Sequence, residues 1–347
     1  MTHARRPVDF SGSVTPHISD YLEYCQGPAS DIYFQRAADT LAGAGLDPVV
    51  TMEYFGDRDG LLCGMADVLD LLRRSLAGAA APAEVWALAD GSPIAAREVV
   101  LRVRAPYSGF GRLETAVLGT LASCSGWATA AREVVEAAGG KRVISFGARH
   151  VHPLVGPIME QAAIAGGCVG CATPLGAERA GLAAPSGTMP HAMILVFGDT
   201  VQAALAFDAH MPDDVLRIVL VDTFKDEAEE SLRVAEAMGE RLRGVRLDTP
   251  WERGRVTVEL VKEVRARLDQ AGHRDVGIFV SGGMDAERVR QFVAAGAPLD
   301  SFGVGMAIAA APPIGFTSDI KEVDGEPRTK RGRIPGVTPA PRLERVL

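Results

Sequence analysis

Residues 216–249, LRIVLVDTFKDEAEESLRVAEAMGERLRGVRLDT, decide the fold, because they alternate between strand-like and helix-like patterns. The β-branched runs at 216–224 and 244–249 are typical of buried strands. Between them, apolar residues recur at helical spacing from Ala228 to Leu242. This strand, helix and strand unit indicates a parallel sheet covered by helices.

The same alternation extends outward from about residue 141 to residue 310. No glycine-rich dinucleotide fingerprint opens the series, so we expect a βα barrel rather than an open Rossmann sheet. We predict a smaller N-terminal α/β domain at 1–112, the barrel at 113–312, and a C-terminal extension at 313–347 that partly returns to the N-terminal domain. The predicted barrel strands are 141–147, 167–173, 216–224, 244–249, 275–283 and 301–309.

Bulk composition narrows the class of protein. The 347 residues carry a net charge of −8, which disfavours nucleic acid or an anionic membrane as a partner. The sequence contains no apolar run of membrane-spanning length and no secretory pattern. Its five cysteines do not form a disulfide framework, so we expect a cytoplasmic protein. We interpret Cys168 and Cys171 as buried strand cysteines rather than a redox or metal pair.

Polar and glycine-rich segments follow each predicted barrel strand. In a βα barrel the carboxyl ends of the strands form one face, and that face holds the site. Six separately placed clusters are therefore expected to converge. These clusters are Phe146–His150, Thr173–Gly176, Asp222–Thr223, Arg246–Thr249, Ser281–Gly283 and Gly303–Gly305.

Several of these residues allow more than one interpretation. The glycine pairs after the last two strands favour phosphate binding over simple turns, because backbone N–H groups can approach an anion closely there. Asp222 is either a helix cap or a site residue. Arg246 and Asp248 alternate on a strand and form either a structural ion pair or a site pair. Lys225 lies in an acidic helical turn and is expected to be solvated.

The motifs SFGARHVHP, GTMPHAMILVFGD, VLVDTFKDE, RLDTP, VSGG and FGVG together resemble nicotinate phosphoribosyltransferase, especially its shorter archaeal-type members. The resemblance extends from about residue 29 to 335. It implies a type II phosphoribosyltransferase fold and the transfer of a phosphoribosyl group from 5-phosphoribosyl pyrophosphate to nicotinate in NAD biosynthesis. It also implies Mg²⁺, ATP hydrolysis through a phosphohistidine, and a homodimer or higher homo-oligomer with a shared site.

The resemblance also implies residue roles. His191 would be the phosphohistidine, and Asp248 would contact the ribose. Tyr33 from a second subunit would cover the pyridine ring opposite Phe146. The predicted substrate-binding residues are Tyr33, Phe146, Arg149, His150, Thr188, Arg246, Ser281, Gly282, Gly283, Gly303 and Gly305. Of these, the arginines would hold substrate anions, and the serine and glycines would hold the 5-phosphate.

Two departures from the family pattern leave alternatives open. Arg149-His150 stands where nicotinate enzymes usually have two arginines, so a phosphoribosyltransferase for nicotinamide or quinolinate is an alternative. A basic TRKT-like cluster, expected of quinolinate enzymes, is not found. A catalytically idle nucleotide-binding homologue is the other alternative. The C-terminus lacks paired cysteines, so no structural zinc is expected.

Overall fold

The computed structural model describes residues 21–78 and 82–347. The strands, numbered in chain order, are β1 (Val49–Gly56), β2 (Gly60–Leu61), β3 (Glu84–Ala87), β4 (Pro93–Ile94), β5 (Val99–Pro106), β6 (Arg142–Ser145), β7 (Gly170–Cys171), β8 (Ile218–Leu220), β9 (Gly244–Leu247), β10 (Gly277–Val280), β11 (Ser301–Val304), β12 (Phe316–Val323), β13 (Glu326–Pro327) and β14 (Glu344–Arg345). The helices are α1 (Tyr21–Gln26), α2 (Ile32–Gly43), α3 (Met65–Leu76), α4 (Glu114–Ala137), α5 (Gly156–Ala165), α6 (Pro174–Arg179), α7 (His191–Phe197), α8 (Thr200–His210), α9 (Glu227–Met238), α10 (Val258–Gln270), α11 (Ala286–Ala294) and α12 (Met306–Ala309).

The larger domain is built on a parallel sheet with the strand order β7-β6-β11-β10-β9-β8. Apolar side chains from these strands and from α9, α10 and α11 form one core cluster. Within the described part of the chain, no pairing joins β7 to β8, so the sheet is a half-barrel. This arrangement, with a smaller N-terminal α/β domain, confirms the predicted fold class.

The strands are shorter than the sequence patterns suggested. The predicted strand at 301–309 ends at Val304, and 306–309 form α12 instead. Gly305 separates the two elements with a backbone conformation outside the helical and extended regions. The first predicted strand likewise ends at Ser145. In both cases the chain leaves the sheet earlier than predicted, at the carboxyl end of the strand.

Side-chain caps fix the starts of the helices that cover the half-barrel. Asp226 accepts hydrogen bonds from the backbone N–H groups of Ala228 and Glu229 at the start of α9. Thr257 and Asp285 cap α10 and α11 in the same way. Such caps satisfy N–H groups that have no partner inside the helix. They therefore set where each loop ends and each helix begins.

The smaller domain contains an antiparallel sheet with the order β13-β12-β1-β5-β3-β14. Three of its strands come from the C-terminal segment of the chain, with β12 pairing along the whole of β1. Buried residues such as Tyr54, Leu72 and Leu101 form its core. The exact boundaries of the three predicted segments stay a prediction.

The cysteines of the described residues are buried and free. Burial raises the pKa of Cys168 to about 12 and that of Cys171 to about 11. The prediction that Cys168 and Cys171 are buried is confirmed. Of these two, only Cys171 lies within a strand.

Among the helices of the described residues, none is by itself both long and apolar enough to cross a bilayer, and only the pair α7 and α8, bent by 109°, reaches that length together.

Candidate active site

Arg246 lies at the centre of the polar cluster above the half-barrel. It projects from β9 and donates hydrogen bonds to Ser281 Oγ (2.8 Å), Thr188 Oγ1 (3.0 Å) and Asp248 Oδ2 (3.2 Å). Ser281 in turn donates to Asp248 Oδ1 at 2.8 Å. Burial lowers the pKa of Arg246, although the carboxylates of Asp248 and Asp222 favour its charged form. The arginine is therefore a fixed, partly desolvated cation.

Phe146 packs beside this cation at the end of β6. The Arg246 guanidinium carbon lies 4.9 Å from the centre of the Phe146 ring, which is within cation–π range. A Cβ at Gly303 would lie only 2.3 Å from Phe146 Cε2, so glycine there makes room for the ring. That Gly303 also binds phosphate stays a prediction.

His191 is the titratable donor of the site. It begins α7, and its Nε2 lies 3.1 Å from Asp222 Oδ2. Asp222 is 1% exposed at its side chain, whereas His191 is 37% exposed. The hydrogen bond to Asp222 raises the pKa of His191, which burial opposes. Asp222, ambiguous from sequence, thus partners a site histidine, while Asp226 caps the following helix.

Arg149 and His150 lie in a short 3₁₀ helix directly after Phe146. Arg149 is close enough for its charge to contribute to the lowered pKa of Arg246. The His150 ring lies over Gly305, where a Cβ would be 2.9 Å from His150 Nε2. His150 is therefore placed at the junction of β6 and β11, at the edge of the cationic cluster.

Gly282 and Gly283 form the loop after β10 with φ values of 87° and 65°. A Cβ at Gly282 would lie 3.1 Å from Asp248 Oδ1, so the loop borders the Arg246 network. Two arginines that the sequence reasoning missed, Arg255 and Arg288, contact Gly283. Both lie outside the six predicted clusters, so no motif pointed to them.

Tyr33 is not brought to this cluster within one chain. It lies on α2 of the smaller domain, 59% exposed, with its ring centre 4.1 Å from that of Phe34. Lys225 pairs with Glu229 at 2.8 Å on the surface, which confirms the expectation of a solvated lysine. The structure thus unites every predicted site residue except Tyr33 along the carboxyl ends of the strands.

The side chains of this site can bind anions and a flat ring. Arg149, Arg246 and, when protonated, His191 can stabilise negative charge, and Phe146 offers a flat apolar surface for a ring. Among the described residues, no group of three or more His, Cys, Asp or Glu side chains could hold a metal ion. A divalent ion would need substrate oxygens to complete its coordination.

The parallel half-barrel and the smaller α/β domain have the fold of the type II phosphoribosyltransferases, as two family models show. A family model described as the N-terminal domain of quinolinate phosphoribosyl transferase matches residues 31–125. The model of the C-terminal domain of the same enzyme matches residues 127–319. The chain belongs to the quinolinate phosphoribosyl transferase family.

Individual relatives carry mixed names. The nicotinate-nucleotide pyrophosphorylase of Pyrococcus furiosus is 40% identical with a TM-score of 0.84, over 93% of this chain and 82% of that one. NadC of Streptococcus pyogenes shares the fold at 18% identity and a TM-score of 0.66, over 89% of this chain and 98% of that one. The nicotinate phosphoribosyltransferase pncB2 of Mycobacterium tuberculosis is 33% identical over 86% of this chain. The chain spans only 66% of the length of that relative.

These matches correct the identification made from sequence motifs. The prediction of a nicotinate phosphoribosyltransferase was wrong, because both domain models describe the quinolinate enzyme. The predictions of ATP as a co-substrate and of a phosphohistidine at His191 are wrong with it. Relatives named for either enzyme match this chain, so the motifs did not separate the two acceptors.

The expectation that a quinolinate enzyme carries a TRKT-like basic cluster in one stretch of sequence was also wrong. In the structure the positive charges come from separate elements, with Arg149 after β6, Arg246 on β9 and Arg255 in the loop after β9. Only the folded sheet brings them to one face, so a linear motif was the wrong signal.

Proposed function

We propose that this protein transfers the phosphoribosyl group of 5-phosphoribosyl pyrophosphate to quinolinate. The observation that carries the proposal is the joint match of both domains to quinolinate phosphoribosyl transferase over 31–125 and 127–319. The cluster around Arg246 supports it, since a dicarboxylate and a diphosphate both require fixed cations. The products are nicotinate mononucleotide, pyrophosphate and carbon dioxide.

The atom balance explains why ATP is not needed. The pyridine nitrogen forms a bond to ribose C1, and the bond from C1 to pyrophosphate breaks. The 2-carboxylate then leaves as carbon dioxide, its electron pair remaining on ring C2 beside the positively charged nitrogen, and C2 takes up a proton. Loss of carbon dioxide makes the sequence effectively irreversible, so no coupled hydrolysis has to drive it.

The proposed roles follow from position. Phe146 stacks on the pyridine ring, which is worth roughly 1–3 kcal/mol by analogy with base stacking. Arg149 and Arg246 hold the carboxylate and phosphate anions, and Thr188 orients Arg246. Asp248 accepts from ribose hydroxyls. His191, whose pKa is raised by Asp222, is the proton donor nearest the anions.

The remaining expectations belong to the same proposal. Mg²⁺ would neutralise diphosphate charge when bound, and Asp222 and Asp248 fit it, because Mg²⁺ takes one or two carboxylates together with substrate phosphates. Ser281, Gly282, Gly283, Gly303 and Gly305 would bind the 5-phosphate. Two further predictions remain. One is a homodimer in which Tyr33 covers the pyridine ring bound in the other subunit, and the other is a cytoplasmic location.

The test offers carboxyl-labelled quinolinate, nicotinate and nicotinamide separately, with 5-phosphoribosyl pyrophosphate and Mg²⁺, with and without ATP. We expect quinolinate alone to give pyrophosphate and labelled carbon dioxide in equal amounts, unchanged by ATP. Turnover of nicotinate with quinolinate inert would overturn the proposed acceptor. Binding of 5-phosphoribosyl pyrophosphate without any turnover would overturn the proposed catalysis.

A further inference from the structure

The smaller domain contains a cavity of about 270 Å³ whose lining residues include none from the barrel face. Its floor is the side of β1 that carries Glu53 and Phe55, whereas the intervening Tyr54 points into the core of the domain. The segment 328–338 covers this side of the sheet, because two of its backbone N–H groups donate to Lys321 O at 3.0 and 3.1 Å. The cavity therefore lies between a sheet and a returning segment of the chain.

A β-bulge places the side chain of Lys321 in this cavity. Its two neighbours on β12 pair with the consecutive residues Thr51 and Met52 of β1, so Lys321 is the extra residue of the bulge. It is only 7% exposed. Its ammonium group donates to Ile334 O and has no ion-pair partner among the residues that the structure describes. Because an ammonium group has three N–H donors, two remain for a ligand.

Two arginines lie against the Phe55 ring in the same cavity. The guanidinium carbons of Arg97 and Arg333 are 5.2 and 5.4 Å from the ring centre, which is within cation–π range. The Arg97 guanidinium makes no hydrogen bond or ion pair within the described part of the chain. Its backbone has a left-handed φ of 66°, which is uncommon for a residue with a Cβ. Backbone strain beside an unpaired cation points to a function.

The carboxylates of the cavity already have cationic partners. Glu53 accepts from Arg102 Nε at 2.9 Å. Asp319 pairs with Arg333 Nε at 2.8 Å and lies 3.6 Å from Lys330 Nζ. The charges of Arg97 and Lys321 are therefore not balanced by these carboxylates. The cavity carries surplus positive charge in a chain whose net charge is −8.

The free donors define the chemistry of a ligand. They belong to one ammonium and two guanidinium groups, and Arg333 keeps both of its Nη groups for this purpose because only its Nε is used. An anion with several oxygens and more than one charge satisfies such a set, as phosphate does. The volume is below the roughly 300–1,000 Å³ of pockets for drug-sized ligands, so the bound group must be small.

We propose that this cavity is a second anion site, separate from the barrel face, which binds a phosphate or diphosphate group through Arg97, Lys321 and Arg333. Free phosphate, free pyrophosphate and the phosphate of a nucleotide all carry this chemistry, and competition between them identifies the source. None of the three residues takes part in the proposed transfer reaction, so the site does not depend on that function.

The test counts the equivalents of radiolabelled pyrophosphate bound per full-length chain by equilibrium dialysis. R97G removes the guanidinium and relieves the left-handed strain, and K321M removes the buried charge but keeps an unbranched side chain. We expect each variant to weaken this site at least about tenfold, and so to lose one equivalent at concentrations that just saturate the wild type. R331Q, which changes an exposed arginine of the same covering segment, is the matched control and should lose none.

Unlabelled inorganic phosphate, nicotinate mononucleotide and quinolinate then compete for that equivalent. Displacement by inorganic phosphate identifies a free anion, displacement by the nucleotide identifies its phosphate group, and either result upholds the site. Displacement by quinolinate at a lower concentration than by both phosphates would overturn the ligand class. Equal numbers of equivalents in the wild type, R97G and K321M would overturn the site itself, and R97G decides the matter if K321M does not fold. A wild type that binds this equivalent but does not turn over quinolinate would uphold the cavity and overturn only the proposed function.

Discussion

At the scale of single residues, the His191–Asp222 pair makes a pH-dependent prediction. D222N replaces the carboxylate that raises the pKa of His191 with a neutral amide, which can still accept a hydrogen bond but carries no charge. This pKa should therefore fall toward the ordinary value of about 6.5. Nuclear magnetic resonance titration of the His191 ring measures it, with the signal assigned from H191Q. D214N, an exposed aspartate, should leave the titration unchanged. An unaltered pKa in D222N would contradict the geometry described.

The sign of the stability effect follows from the raised pKa. A histidine whose pKa is higher when folded adds stability below its unfolded pKa, and that contribution disappears as the pH rises through the folded pKa. The His191–Asp222 pair should therefore stabilise the fold in mildly acidic solution. This stabilisation should disappear above the raised pKa of His191 in the folded protein. Because His191 is 37% exposed, solvent screens the pair and the effect should be modest.

Gly303 makes a second prediction at the residue scale. A methyl group in G303A would overlap the Phe146 ring, since a Cβ there lies 2.3 Å from Cε2. The ring must then move from its place beside Arg246, and a shift of about 1 Å can reduce turnover on the order of 10²-fold. Carbon dioxide release from quinolinate measures the effect. G119A, with open space around its Cβ, is the control, and full activity in G303A would show that the position of Phe146 is unimportant.

At the scale of elements, α5 and β7 are joined by a buried carboxylate. Glu160 accepts a hydrogen bond from the backbone N–H of Ala172 at 2.7 Å, and further bonds from the N–H and hydroxyl of Thr173. The residue is fully buried. It therefore fixes the loop that opens the long connection from β7 to β8, which contains α7 and His191.

The E160Q variant tests whether the hydrogen bonds of Glu160 to Ala172 and Thr173 stabilise the fold. The glutamine NH₂ group would face backbone donors, so at least one buried group should lose its partner, at a cost of roughly 1–3 kcal/mol in unfolding free energy. Urea unfolding followed by circular dichroism measures it. E178Q, an exposed residue on α6, should change stability by no more than about 0.5 kcal/mol. Equal stability of both variants would show that the contact is not structural.

At the scale of the whole molecule, the position of Tyr33 makes an assembly prediction. Its described contacts lie in the smaller domain, while Phe146 lies at the barrel face. If Tyr33 completes a ring site in another copy, Y33A and F146A should each be nearly inactive as pure proteins. Mixed dimers of the two should recover activity, because one of their two sites would contain both aromatic residues.

The mixing experiment has a clear control. Co-expressing the variants with different affinity tags and purifying through both tags isolates the mixed dimers, which are then assayed for carbon dioxide release. Y24A, on α1 of the same domain, takes the place of Y33A in the control and should not depend on a partner. Mixed Y33A and F146A dimers without recovered activity would contradict a shared site.

The sequence by itself determined the fold class and the face of the site. Alternating strands and capped helices between residues 141 and 310 specify local structure through hydrogen bonding and apolar periodicity, and strand ends of a parallel sheet must share one side. The pairing of His191 with Asp222 and the seating of Phe146 over Gly303 were decided only by tertiary structure. Arg255 and Arg288 illustrate why: they are 33 positions apart in the chain, and only the packing of α11 against the loop after β9 brings both to Gly283. Contacts between distant residues depend on how elements pack, which local patterns do not encode.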